Sequence, residues 1–141
     1  MNLEEIKQTA RDKMKGYCRV CKNCNGIACA GEVPGMGGIG TGSSFTANIE
    51  ALANVKLNLR TLHDAKTPDI STNILGIDLS MPILSAPITG SDYNMGGAIP
   101  EAEYIGMVMS GSKYAGTVGM CGDGGNPVFY TSGIEAIKKE N

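Results

Sequence analysis

The stretch PILSAP at residues 82–87 is a short apolar run bounded by prolines, and it decides the expected fold. Such a run is typical of a strand buried on both faces of a parallel sheet. A helix is expected over residues 100–114, because it opens with a proline and two glutamates. A second short apolar strand follows at residues 115–121. The alternation of strand, helix and strand predicts an α/β fold.

The flanking sequence predicts further helices and a hairpin. Apolar residues recur at helical spacing over residues 2–16 and again over residues 45–52. For the first helix, the sequence predicts an Asn2–Glu5 capping box and a stop at Gly16, and for the second it predicts a serine cap. A hairpin is predicted to turn at Gly76. A last helix is predicted to begin at a Ser132–Glu135 capping box.

Composition excludes several classes of protein. The chain has 141 residues, of which 42% are hydrophobic and 18% charged, with a net charge of −2. This composition argues against a disordered chain and gives no electrostatic footprint for nucleic acid or an anionic membrane. No apolar run approaches the ~18 residues of a membrane span. The acidic, polar start of the chain is unlike a secretory signal, so a cytoplasmic location is expected.

The two expected strands do not make a finished sheet. A single parallel pair has two open edges, whereas α/β sheets contain several strands. We therefore expect that further chain completes the sheet.

Three segments, LNLRTL at 57–62, ISTNILG at 70–76 and MPILSAPITG at 81–90, resemble the FMN-dependent α-hydroxy-acid oxidases and dehydrogenases. Glycolate and lactate oxidases are familiar members. The acidic helix start at residues 100–103 is similar to the P-x-(A/G)-E of that family. The resemblance extends from about Gly35 to Asn141, and the cysteine-rich opening resembles a variant found in some anaerobic bacterial relatives.

The resemblance implies a partial TIM (β/α)8 barrel with an N-terminal helical cap, a bottom hairpin and the first two β/α units. Residues 1–44 are then the helical and Cys/Gly-rich N-terminal segment, and residues 45–141 are the first part of the barrel. A whole barrel needs ~250 residues, so the chain is expected to be the N-terminal part of such an enzyme. Whether it is a fragment or a split protein stays open.

The resemblance also implies where FMN binds. The flavin ring lies against the end of the first barrel strand, which places it at Ala86, Pro87, Ile88 and Thr89. The second strand brings Gly122 to the same edge, at or next to a position where relatives often carry a serine. The alternative is an ordinary buried strand and turn. Beside Gly122, Cys121 is interpreted as a small buried hydrophobe and Asp123 as a loop cap.

Oxidation of a 2-hydroxy acid needs a base for the hydroxyl proton and a cation for the carboxylate. Relatives supply a histidine and arginines from late barrel strands, which would lie beyond Asn141. The single histidine, His63, is expected at the surface. The chain alone is therefore expected to be inactive and to hold FMN weakly, with a homo-oligomer or a complementing C-terminal half as possible partner.

Four of the five cysteines fall within twelve residues, as Cys18-x₂-Cys21-x₂-Cys24-x₄-Cys29. Close thiolates on a flexible loop can converge on zinc or an iron–sulfur cluster, and Arg19 and Lys22 would offset their charge. Reduced, redox-sensitive thiols or disulfides are the alternatives.

The sequence allows three further interpretations. The pattern Gly35-x-Gly37-x-x-Gly40 matches a dinucleotide fingerprint but lacks the preceding strand, which favours a simple linking loop. Type 2 isopentenyl diphosphate isomerase is an alternative flavoprotein relative. A small metal-binding redox module centred on the four cysteines is the alternative from a different functional class.

Overall fold

The computed structural model describes residues 2–32 and 40–140. The chain divides into two compact units, one of Met1–Leu59 with Ser91–Ala98 and the other of Arg60–Gly90 with Ile99–Asn141. In chain order the elements are α1 (Leu3–Met14), α2 (Ser43–Asn54), β1 (Thr72–Ile74), β2 (Ile77–Leu79), α3 (Ser91–Asn94), α4 (Glu101–Tyr114) and α5 (Pro127–Glu140).

Both ends of α1 are as expected from the sequence. The Asn2 side chain accepts the Glu5 backbone N–H at 2.9 Å, and Glu5 accepts the Asn2 backbone N–H at 2.9 Å. The helix ends where Lys15 and Gly16 take left-handed conformations, with φ of 48° and 88°. The capping box and the glycine stop are therefore confirmed.

The expected serine cap of α2 is wrong. The residue at the N-cap is Gly42, with φ of 63°, and no side chain caps the helix. Ser43 and Ser44 instead form the first helical turn. The left-handed entry at Gly42 places the helix start earlier than a serine cap would allow.

The hairpin is confirmed, and its turn follows from two left-handed residues. Strands β1 and β2 pair antiparallel, with Ile74 opposite Ile77. The turn residues Leu75 and Gly76 have φ of 53° and 84°, the signs that a type I′ turn requires. The Asn73 Oδ1 accepts the Gly76 N–H at 3.0 Å and closes the turn.

The predicted start of the last helix is wrong by six residues, since the cap is at Asn126 and not at Ser132. Helix α5 begins at Pro127, so Ser132 is buried within the helix and caps nothing. The cap is provided by Asn126, whose Oδ1 accepts the Val128 N–H at 3.1 Å. Pro127 fits the first helical position because it has no N–H to satisfy there.

Residues 82–89 and 115–121 lie side by side in parallel, as the sequence predicts, but they are not regular strands. Ile88 and Cys121 form a parallel bridge. The Ser85 N–H donates to the Val118 carbonyl at 3.3 Å, and the Met120 N–H donates to Ser85 Oγ at 2.7 Å. Burial on both faces is wrong, since Ile83 is 62% exposed. Within the described residues, the hairpin is the only regular sheet.

The core of the second unit lies where α4 packs against α5. Ile105, 1% exposed, clusters with Met109 and Ala136, and Cys121 packs against this cluster. A Cβ added at Gly133 would lie 2.7 Å from Cys121 Sγ. Cys121 therefore packs against α5 as a small hydrophobe does, although it is partly rather than fully buried.

Candidate functional site

The candidate site is the end of the first extended segment, where the backbone turns toward α4. Ala86, Pro87 and Ile88 are exposed there, with Ile88 at 46%. Thr89 is partly buried and Gly90 is buried, with φ of 79°. The segment thus presents an open apolar edge that ends in a tightly held turn.

Glu101, the first residue of α4, holds that turn. Its carboxylate accepts the Thr89 hydroxyl through Oε1 and the Gly90 backbone N–H through Oε2, the latter at 3.0 Å. The residue is only 9% exposed. A negative side chain is favoured here because the N-terminal end of a helix carries positive partial charge. No sequence pattern predicts this role, because an acidic residue at a helix start is common.

Gly122 allows the second segment to approach Thr89. A Cβ added at Gly122 would lie 2.9 Å from the backbone N, the Cβ and the Cγ2 of Thr89. Only glycine permits this spacing, since real Cβ atoms essentially never come within 3.0 Å of another heavy atom. The structure therefore brings together Thr89 and Gly122, two of the residues that the sequence placed at one edge.

The surroundings of this edge are apolar or acidic. Neither residues 82–90 nor residues 115–125 contain a lysine or an arginine. Asp123 is exposed and accepts the Gly124 N–H at 2.7 Å, which fits its predicted role as a loop cap. One turn along α4, burial and then the charge of Glu101 raise the pKa of Tyr104 above its usual value.

The cysteine-rich loop is organised by arginines. The Arg11 guanidinium donates to the carbonyls of Arg19 and Val20, at 3.3 and 3.4 Å. Arg19 pairs with Glu32 at 2.6 Å, and the hydrogen bond to Glu32 raises the pKa of the Arg19 guanidinium. The Val20 N–H donates to Cys18 Sγ at 3.4 Å. Val20 itself has φ of 49°, which is strained for a β-branched residue.

The expected metal site at Cys18, Cys21, Cys24 and Cys29 is not supported by this arrangement. All five cysteines are free thiols, and Cys21 and Cys24 are exposed. Across residues 2–32 and 40–140, no group of three or more potential metal ligands is placed to hold an ion. Desolvation by burial raises the pKa of Cys29. Within the described residues, these cysteines therefore form neither a disulfide nor a converged set of metal ligands.

The remaining residues that the sequence singles out are His63 and the glycines of the pattern at 35–40. His63 is exposed, as expected. Gly35 and Gly37 lie outside the described residues, while Gly40 is exposed with φ of 74°. None of the helices in the described part of the chain is long and apolar enough to cross a membrane.

Comparison with known proteins identifies the family. A family model described as FMN-dependent dehydrogenase matches residues 35–117. Neither a curated protein nor a solved structure matches the chain. The matched region includes the hairpin, the extended segment 82–89 and all of α4. Because the match covers more than half of its residues, the chain belongs to the FMN-dependent dehydrogenase family of flavin oxidoreductases.

Proposed function

We propose that this chain is the N-terminal part of an FMN-dependent TIM-barrel enzyme that oxidises 2-hydroxy acids. Its share of the function is to provide the edge against which the flavin ring lies. The observation that carries the proposal is the meeting of two parallel segments at Thr89 and Gly122, beside the exposed residues 86–88. In barrel enzymes the active site lies at this C-terminal end of the strands.

The residues at the edge fit a flat aromatic ring. Ala86, Pro87 and Ile88 are exposed, and Gly122 carries no side chain. Ile88 and Pro87 offer apolar surface of the kind that lines cofactor pockets. When bound, FMN would be the acceptor of the hydride equivalent that leaves the substrate carbon.

The same edge does not fit the phosphate of FMN. It lacks lysine and arginine, and its nearest charged loop residue is the acidic Asp123. Phosphate recognition needs basic side chains or helix N-termini aimed at the anion. In barrels of this type the phosphate site is built from the loops after strands 7 and 8. We propose that the phosphate-binding, proton-accepting and carboxylate-binding groups come from those later units.

The exposed apolar side chains of the first segment support the proposal that a further part of the protein covers them. Ile83, Leu84 and Ile88 are large hydrophobic residues left exposed along the segment 82–89. In a parallel sheet, such residues are normally covered by neighbouring strands and helices. The complement is therefore proposed to be further β/α units, supplied by the same protein or by a second chain.

An amide-resolved NMR titration of the ¹⁵N-labelled chain with FMN tests this proposal. We expect saturable shifts of the amides of Ala86, Ile88, Thr89 and Gly122, with a Kd well above micromolar, since only the ring is recognised. Riboflavin, which lacks the phosphate, is the matched control and should bind about equally. Sub-micromolar binding of FMN would refute the dependence on a complement. Absence of shifts at Ala86, Ile88 and Thr89 at millimolar FMN would refute the ring site.

The substrate class is tested on the complemented protein. Lactate or glycolate should bleach the FMN absorbance under anaerobic conditions, while isopentenyl diphosphate should not produce net reduction. Failure of several 2-hydroxy acids to reduce FMN that is stoichiometrically bound would overturn the substrate assignment.

A further inference from the structure

We infer that Cys24 and Cys29 are a peroxide-reactive pair, which hydrogen peroxide converts into a disulfide that dithiols reverse. The pair belongs to the cysteine-rich loop, a part of the chain that the proposed function does not use. The inference is independent of that function, because neither the step nor its test involves a flavin. In the structure both cysteines are free thiols.

The chain turns between the two cysteines. Residues 24–29 lie between α1 and α2 and include Gly26, which is buried and left-handed with φ of 75°. The Asn25 Oδ1 accepts the Ile27 N–H at 3.1 Å, and the Asn25 carbonyl accepts the Thr46 hydroxyl at 3.3 Å. This turn is therefore fixed to α2, and the two cysteines lie at its opposite ends.

Cys24 is the partner that the loop offers to Cys29. Burial raises the pKa of Cys29 most, Arg19 lowers it, and the charges of the other loop cysteines raise it further, in the order Cys24, Cys18 and Cys21. Because the interaction between two charges weakens with distance, this order favours Cys24 as the nearest thiol. Cys18 is a poorer partner also because its Sγ accepts the Val20 N–H at 3.4 Å, which turns the sulfur toward its own backbone.

The two thiols differ in the way that a stepwise oxidation needs. Cys24 is exposed to peroxide, whereas Cys29 is partly buried and burial raises its pKa. The thiolate is the form that attacks peroxide, so Cys24 reacts first and Cys29 second. Once Cys24 is a neutral sulfenic acid, its charge no longer raises the pKa of Cys29, while Arg19 still lowers it. Oxidation of Cys24 thus favours the Cys29 thiolate that completes the disulfide.

Atoms and electrons balance with hydrogen peroxide as the oxidant. The Cys24 thiolate attacks one peroxide oxygen and the O–O bond breaks, which leaves a sulfenic acid and a hydroxide that takes the proton lost by Cys24. The Cys29 thiolate then attacks the Cys24 sulfur and the S–O bond breaks, and the departing hydroxide takes the proton lost by Cys29. Two thiols are oxidised and one peroxide is reduced, which gives one disulfide and two waters.

Peptide mapping of the full chain tests the inference. The reduced chain is treated with stoichiometric hydrogen peroxide in the absence of flavin, its remaining thiols are blocked with N-ethylmaleimide, and it is digested with trypsin. Trypsin places Cys18, Cys21 and the pair on three separate peptides, 16–19, 20–22 and 23–56. We expect the number of blocked thiols to fall from five to three, with peptide 23–56 unlabelled and lighter by two hydrogens. Dithiothreitol should restore both labels.

Two variants and a denatured sample serve as controls. Cys21→Ser removes the other exposed thiol of the loop and should form the same disulfide. Cys29→Ser should form none and should leave Cys24 as a sulfenic acid that dimedone labels. In urea, where the spacing along the chain governs pairing, we expect a mixture of products in which Cys18 and Cys21 also pair.

Four results would overturn the inference. They are retention of all five labels, a main product that joins peptide 23–56 to another peptide or to a second copy of itself, oxidation of Cys24 beyond the sulfenic acid without a disulfide, and the same mixture of pairs in the native chain and in urea. If Cys29→Ser does not fold, the comparison of the native wild type with the wild type in urea decides the question.

Discussion

Replacing Gly122 by alanine is the sharpest test of how the two parallel segments meet. The added Cβ would lie 2.9 Å from three atoms of Thr89, including its backbone nitrogen. Ordinary van der Waals contact begins at 3.4 Å, so the segments must separate by about half an ångström. A side-chain rotation of Thr89 cannot relieve the clash, since the nitrogen belongs to the main chain.

The expected cost follows from overpacking. An extra methyl group in a closely packed site costs typically ~1–3 kcal/mol, because neighbouring groups must shift. Backbone strain adds nothing here, since Gly122 does not have a left-handed φ. We therefore expect Gly122→Ala to lower the free energy of unfolding by about 2 kcal/mol.

Urea denaturation followed by circular dichroism measures this change. The midpoint should fall while the m-value, which reports the surface exposed on unfolding, stays the same. If the proposed function holds, the same variant should lose the FMN-dependent amide shifts of Ala86, Ile88 and Thr89, because the displaced Thr89 backbone belongs to the proposed edge.

A matched control lies three residues away in the same loop. A Cβ at Gly125 would have no atom within 4 Å, so Gly125→Ala should unfold like the wild type. Equal urea midpoints for Gly122→Ala and Gly125→Ala would refute the close approach of the two segments. They would also remove the support that Gly122 gives to the proposed flavin edge.

Two smaller predictions concern the hairpin and the cysteine loop. Leu75 is 98% exposed and has a left-handed backbone conformation, which asparagine tolerates better than leucine or alanine does. Leu75→Asn should therefore raise the free energy of unfolding, measured by urea denaturation, by about 0.5–1 kcal/mol. Leu75→Ala should not raise it. Burial raises the pKa of Cys29, so a smaller fraction of this thiol is ionised at a given pH. The rate at which Cys29 is alkylated, followed by mass spectrometry, should therefore rise at a higher pH than the rate for free cysteine. A rate curve for Cys29 that coincides with free cysteine, or lies below it in pH, would contradict this reading of the loop.

Features set by neighbouring residues were predictable from the sequence. The α1 capping box and the hairpin turn each involve residues within five positions of one another, and both appear as expected. The start of α5 was missed although it is also local, because two start signals compete. The helix begins at Pro127, capped by Asn126, and not at Ser132. A start at Pro127 allows Phe129 and Ser132 to be buried on the inner face of the helix.

Features that depend on burial were not predictable in the same way. The apolar run 82–87 predicts a strand with both faces covered, but the cover must come from other elements. The cysteine spacing likewise meets a requirement for a metal site without providing its geometry. Whether four thiols converge depends on the loop, and here Arg11 and the Arg19–Glu32 pair hold the loop in another arrangement.

The candidate site contains residues that the sequence predicts and one residue that it does not. Sequence similarity placed residues 86–89 and Gly122 at one edge, and the structure joins Thr89 to Gly122 by contact. It also adds Glu101, twelve residues beyond Thr89, which no local pattern singles out. Glu101 and Gly122 thus both contact Thr89, one from the start of α4 and the other from the second parallel segment. If the proposed function holds, these contacts arrange the edge that would face the flavin ring, and a complementing part would add the phosphate and substrate groups.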